Sequence, residues 1–473
     1  MKEPTNADAA REVPGLRRDL GVTSLVLAQI VNIVGGAWCG TAAMAGEAHV
    51  MLWLLSALLF FLPSAIVAAN LANLLPLEGG LYRWAEAAFG PLAGFLVGWN
   101  LMAYIVVSLA SFGPLLTSSV AYVVGGHLGR LIDTPSGILC VSIAMLAACL
   151  ASTGLGLRFG KWVHGFGAIA NMIAFAAVMS IPLIVGLRVQ GSHLNHASVI
   201  SASTSFNVLS KMALGAFGGI EYVAIMAGEC KDPRRSIVRS VWISAPLIVL
   251  MYVLGTNGVV SVVPKDAIDL IAPIPQALRL GLASTGFAVE IGVAMIAMLA
   301  IAQVGAACWQ FAGAARLPMV AGWEGHAPAW IGVVSRRFGS PVRSAVLLAG
   351  IVLLLIALGE AGVGRQEAYQ LLNNASQIHY AIAYFVMFAI PLVGHRDLRR
   401  RLSRASAVVA VPGLLISIAF VGFALVPLVS VVSVASFVAK MGGAVILINL
   451  LGFACFVLAS KQRQRQVPFG GAT

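Results

Sequence analysis

Apolar residues fall in long runs separated by short polar stretches. Each run is about the length of a bilayer crossing, roughly 20 residues at 1.5 Å per residue, too long and too evenly apolar for strands. The pattern predicts twelve membrane helices, at about 22–45, 50–74, 91–124, 135–153, 163–187, 206–229, 237–262, 287–314, 342–358, 368–393, 407–430 and 435–459. The third is long enough to be strongly tilted. Residues 76–90 are too polar to cross and too aromatic for a free loop, and Tyr82 and Trp84 suit the headgroup boundary. Residues 188–205 read as polar, 263–285 as a loop carrying Pro264, Pro273 and Pro275, and 460–473 as a disordered tail.

Two runs are interrupted. Gly35-Gly36 breaks the first, and Gly218-Gly219, followed by Glu221, breaks the sixth. Glycine weakens a helix interior because it loses the most backbone entropy on ordering. A carboxylate in hydrocarbon costs several kcal/mol and is usually functional. A lone Gly pair is more often a helix-packing contact; its recurrence in matching positions, with an acid, points to a binding site. The spacing fits a five-span unit duplicated in tandem, and an odd-span unit enters the membrane in opposite directions in its two copies. The expected plan is an N-terminal tail (1–21), a first repeat (22–187), a second repeat (206–394), two extra spans (405–459) and a C-terminal tail (460–473). Unwinding frees backbone groups that need partners. One half-helix end offers N–H groups to a carboxylate and the other offers carbonyls to an ammonium, which together fit an amino acid.

Composition agrees with a membrane protein: 59% hydrophobic and 10% charged, with mean hydropathy +0.93. The net charge of +12 does not indicate nucleic acid, because 23 of the 30 Lys and Arg lie on or beside the segments on the terminal side. By the positive-inside rule both termini are cytoplasmic, in a plasma or bacterial inner membrane, with the bilayer as partner. The densest basic cluster, 396–404, suits anionic lipid, though topology alone explains it. The six cysteines are scattered without a CxxC, and no cleavable leader is expected. No metal site or cofactor is expected. Gly160-Lys161 precedes Trp162 rather than Ser or Thr, so there is no P-loop, and no His is followed by Glu, which argues against a zinc peptidase.

Four stretches resemble the amino acid–polyamine–organocation superfamily of permeases: Asn32 to Ala37, Pro76 to Gly90, Phe217 to Ile237, and Arg316 with 324–328. The resemblance implies the five-plus-five inverted fold, with broken helices 1 and 6 around a central site. It implies main-chain substrate contacts from Ile33, Val34, Gly35, Gly36 and Ala37 and from Phe217, Gly218, Gly219 and Ile220, with Phe217 also a lid candidate. Asn32 and Glu221 match polar positions near that site. Two positions depart from the pattern: Gly36 replaces a frequent Ser, and Asn171 stands where proton-coupled members often carry a Lys. Sodium coupling in this fold resembles a site of span-1 carbonyls and span-8 hydroxyls. Span 8 has no Ser or Thr from Phe287 to Ala315, so sodium independence is expected.

Proton coupling would need a titrating group. Glu221 is the first candidate, either for a proton or for a substrate amine, and His379 the second. Glu290 is placed to attract a cation or simply to be wet. Asn100, Tyr104, Gln303, Asn374 and Gln377 are secondary candidates, each equally suited to interhelical hydrogen bonding. The expected function is a secondary transporter of amino acids or related amines working by alternating access. The alternatives are a polyamine or organocation permease and a substrate sensor with little flux. Oligomeric state is open.

Overall fold

The computed structural model describes residues 18–76, 79–188, 202–282, 288–320, 330–335, 340–359, 365–427 and 433–466. These are helical almost throughout. In chain order they form α1 (Val22–Ile33), α2 (Gly36–Ala43), α3 (Gly46–Leu74), α4 (Leu81–Phe89), α5 (Pro91–Val124), α6 (Gly126–Ile132), α7 (Pro135–Gly154) and α8 (Leu157–Arg188). Then α9 (Ala202–Ser210) runs into a π-turn, Lys211–Ala216, and a 3-10 segment, Tyr222–Glu229, follows. The remainder is α10 (Pro233–Val260), α11 (Pro273–Leu282), α12 (Ala288–Val320), α13 (Val342–Gly359), α14 (Arg365–Val393), α15 (Arg396–Arg401), α16 (Arg404–Ala424) and α17 (Val434–Gln466).

Among the described residues, nine helices are long and apolar enough to cross a membrane, namely α3, α5, α7, α8, α10, α12, α14, α16 and α17. The α1–α2 pair, bent by 46°, makes a tenth if it is one span, and Val342–Leu358 in α13 is a shorter apolar helix. The chain is a multi-pass, all-helical membrane protein. Helix α1 packs against α8, α10 and α12, and α5 against α12 and α14. Helix α17 lies at the rim, with Ile446, Leu447, Leu450, Leu451 and Phe453 exposed as a lipid-facing surface requires.

Three stretches depart from the sequence expectation. Tyr82 and Trp84 are not headgroup residues: both are buried, and the Trp84 indole donates to Leu75 O at 3.1 Å. Helix α4 is drawn inward because Gly80 lets it approach the 3-10 segment. Its φ of +49° and the 2.9 Å from a would-be Cβ to the Ala224 carbonyl carbon both require glycine. Within 263–285, Asp269 turns the chain by accepting from the Ile271 and Ala272 N–H groups at 2.9 and 3.2 Å, and Pro273 opens α11. Beyond 459, α17 continues to Gln466. The expectations for 1–17, 189–201 and 321–329 lie outside the described residues.

Helices α8 and α12 meet at Gly167 and Gly305: a Cβ built on Gly305 would stand 2.9 Å from the Gly167 Cα. Close backbone approach of this kind drives membrane helix association. Gly305→Ala is expected to cost roughly 1–3 kcal/mol, read as a lower melting temperature of the purified protein. Gly350→Ala, with nothing within 4 Å of its Cβ position, should leave it unchanged.

Candidate functional site

The first break falls at Val34 and Gly35. Both adopt extended backbone, and α2 starts at Gly36 with no side chain capping its N-terminus. The carbonyls released by unwinding are taken up by two neighbours. Asn171 on α8 donates to Val34 O at 2.9 Å, and the Tyr252 hydroxyl on α10 donates to Ile33 O. Tyr252 also accepts from Gly35 N–H at 3.1 Å and has Ala216 O at 3.2 Å as an alternative acceptor. One phenol thus joins both breaks. Its ring stacks on Trp53 at 4.4 Å, and the Trp53 indole is fixed to Thr256 at 2.9 Å.

The second break spans Gly218 to Glu221. Gly219 has φ +119°, a conformation that side-chain-bearing residues rarely adopt, and a Cβ there would lie 2.7 Å from Asn32 Nδ2. Asn32 therefore rests directly against break two. Its Oδ1 is buried and has no hydrogen-bond partner among the described residues. Gly219 N–H donates to the Tyr384 hydroxyl at 2.9 Å. Tyr384 and Tyr380, one turn apart on α14, donate to the two oxygens of the Glu221 carboxyl. Tyr380 stacks on Tyr104 of α5 at 3.9 Å. Tyr222 donates to Gln310 O at 2.6 Å and fills the space beside Gly313.

The structure brings Asn32, Ile33, Val34, Gly35, Asn171, Gly218, Gly219, Glu221 and Tyr104 into one neighbourhood. Gly36 faces Ile274, and Ala37 packs with Ile271 and Tyr369. Ile220 is wholly buried. Phe217 sits in an aromatic cluster, stacked on Phe61 at 4.6 Å with Trp53 edge-on at 5.3 Å. Gln377 is buried beside Tyr104.

Other candidates are interhelical. Asn100 donates to Asn449 at 2.8 Å and lies 2.8 Å from His379 Nδ1, tying α5, α14 and α17 together. Asn374 donates to Ala424 O at 3.0 Å, and Gln303 to Ser119 at 2.9 Å. Glu290 is exposed in the first turn of α12.

Sequence reasoning missed Tyr252, Tyr380 and Tyr384. The two α14 tyrosines carried a signal, four-residue spacing on one helix face. Tyr252 carried none. Also missed were Lys211, buried in the π-turn, and the ion pair of Arg316 with Glu229, which is buried on both sides. That pair adjoins a backbone bridge in which Leu20 N–H donates to Glu229 O and Lys231 N–H to Leu20 O, both at 3.0 Å. Together they close the α1 side of the breaks.

Residues 20–459 match the family described as amino acid permease. The chain is 25% identical over 378 residues to an uncharacterized transporter of Legionella pneumophila, covering 79% of this chain and 80% of that protein. It is 25% identical over 248 residues to the serine/threonine exchanger SteT of Bacillus subtilis, covering 50% and 54%. It is 23% identical over 398 residues to Asc-type amino acid transporter 1 of Homo sapiens, covering 78% and 70%. With matched residues running through both breaks and nearly all the apolar helices, the chain belongs to the amino acid permease family of the amino acid–polyamine–organocation superfamily, and it is a membrane transporter, not an enzyme.

Proposed function

We propose that this permease is a secondary transporter that moves amino acids across the cell membrane by alternating access. It has twelve spans, a five-plus-five inverted repeat and both termini in the cytoplasm. The nine long helices, the α1–α2 pair, α13 and the broken segment from α9 to Glu229 together make twelve. Its substrate site lies between the two breaks. The observation that carries this reading is Asn32, whose buried oxygen is unpartnered against Gly219, one turn from the uncapped N-terminus of α2. The oxygen suits a substrate ammonium, and the free N–H groups of α2 suit its carboxylate. The serine/threonine exchanger and the Asc-type amino acid transporter among its relatives support an amino acid substrate.

Transport is sodium-independent in this reading. The span-1 carbonyls a hard cation would use are already engaged, Ile33 O by Tyr252 and Val34 O by Asn171, and α12 offers no hydroxyl through Ala315. Glu221 is the coupling residue, since it is the buried acid at the break and its carboxyl links that break to α14.

Purified protein should be stabilised thermally by amino acids, through mass action on the folded state. Failure of every amino acid to raise the melting temperature would count against the site. Glu221→Gln should cut gradient-driven uptake in vesicles far more than counterflow; equal loss in the two assays would reject the coupling role and leave a structural one. Tyr252→Phe leaves Ile33 O and Gly35 N–H unpaired in a dry environment and should cost roughly 1–3 kcal/mol. The melting temperature should fall, and the ligand-induced shift should shrink with it.

A further inference from the structure

Lys211 is a charge that the two breaks do not use. It opens the π-turn Lys211–Ala216 and is 2% exposed in an otherwise apolar span. An ammonium held away from water is costly unless an anion faces it, and among the described residues no carboxylate pairs with it. Glu221 lies across the break and is engaged by Tyr380 and Tyr384. The Lys211 ammonium donates to Val426 O at 3.0 Å, just past the end of α16. That helix end does not need a cation: the neutral amides of Asn374 and Asn207 reach Ala424 O and Val426 O at 3.0 and 3.4 Å. One carbonyl leaves two ammonium hydrogens for something else.

The side chain lines a cavity with Trp38, Thr41, Gln370, Asn373 and Asn374. Ala37, at the start of α2, belongs to the same wall, so the cavity adjoins the first break. Its volume is about 20 Å³, which holds about one water. An amino acid enters only if the walls part. The lining provides the hydroxyls of Thr41 and Tyr369, amides and the Lys211 side chain but no acid, so Lys211 is the basic group of the chamber.

We propose that Lys211 makes this chamber the side-chain subsite of the central site, selecting amino acids whose side chain ends in a carboxylate and repelling cationic amino acids and polyamines. The proposal rests on the amino acid site described above. An entering carboxylate supplies the anion that the buried ammonium lacks, and a charged hydrogen bond in a dry chamber is among the stronger ones. A cation entering the same chamber meets a like charge at short range.

The test is the melting temperature of the purified full chain with aspartate, glutamate, asparagine, glutamine, leucine, lysine and putrescine, for the wild type, Lys211→Met and Lys211→Arg. The acidic amino acids should stabilise the wild type most, and lysine and putrescine not at all. Lys211→Met should weaken apparent affinity for the acidic ligands by about tenfold or more while retaining the neutral ones, and Lys211→Arg should keep the acidic preference. If Lys211 only caps α16, Lys211→Met lowers the unliganded melting temperature and leaves the ligand ranking unchanged, which overturns the subsite. Stabilisation of the wild type by lysine or putrescine, or by neutral amino acids alone, also overturns it. If no amino acid stabilises the wild type, the central amino acid site itself fails. If Lys211→Met does not fold, the wild-type ranking and Lys211→Arg decide.

Discussion

A backbone carbonyl or N–H without a partner in the dry part of a membrane costs several kcal/mol. A helix can be interrupted there only where other side chains take up what the interruption releases. The two breaks meet this constraint with very few residues. Tyr252 serves both, touching Ile33, Gly35 and Ala216. Asn171 takes Val34 O, and Tyr384 takes Gly219 N–H while also holding Glu221. Tyr252 is itself positioned by the Trp53 stack and, through Trp53, by Thr256. The breaks are therefore braced from α3, α8, α10 and α14, and the buried Asn32 oxygen left unpaired at their junction among the described residues is where the proposed substrate site lies.

The two ends of this junction are closed by different physics. On the α2 side, outside the small polar chamber at Lys211, the contacts are apolar and aromatic: the Trp38 ring occupies the space beside Gly215, and Ile274 lies against Gly36. On the α1 side closure uses the buried Arg316–Glu229 pair and the backbone bridge at Leu20 and Cys230. Removing one partner of a buried ion pair leaves an uncompensated charge and costs more than loosening apolar contacts. Apolar walls can slide apart with small graded losses, whereas the ionic side opens only if the pair separates into water or finds new partners. In the alternating-access cycle proposed above, the contact costlier to open is the one where α1, the 3-10 segment and α12 converge.

Much of the fold was legible in the chain because its signals are one-dimensional. Apolar run length gave the helices, and α5 falls where the 91–124 run predicts it. The Gly pairs marked both breaks to within a residue or two, since glycine is the residue that tolerates them. Partners were not legible. Tyr252 looks in sequence like any tyrosine in an apolar run, and its role depends on α1 and the π-turn lying beside α10. Trp84 misled for the converse reason: an aromatic in a polar stretch suits a headgroup region, and only the close approach at Gly80 carries it into the core. Asn100, Gln303 and Asn374 were polar residues in apolar runs, a pattern shared by binding groups and interhelical bonds; the structure gives all three interhelical partners.

The segment from α9 to Glu229 carries a lysine before its break and a glutamate at the end of it, and each is fixed to a different neighbour. Lys211 is held at the end of α16 and Glu221 on the face of α14. Had the segment been one straight helix, ten residues would place them about 15 Å apart, beyond a direct ion pair. Each charge therefore finds its partners on a different neighbour rather than on the other. Glu221 has both oxygens engaged, so a ligand ammonium would have to displace a tyrosine to reach it. Lys211 keeps unspent donors facing a cavity wall it shares with Ala37. Among the described residues the amide oxygen of Asn32 is an unpartnered acceptor at this centre, as are Asn171 Oδ1 and Gln377 Oε1, and it can take an ammonium without any hydrogen bond being broken; the cation is that of Lys211. A zwitterion with an additional carboxylate satisfies both at once, and a diamine satisfies only the first.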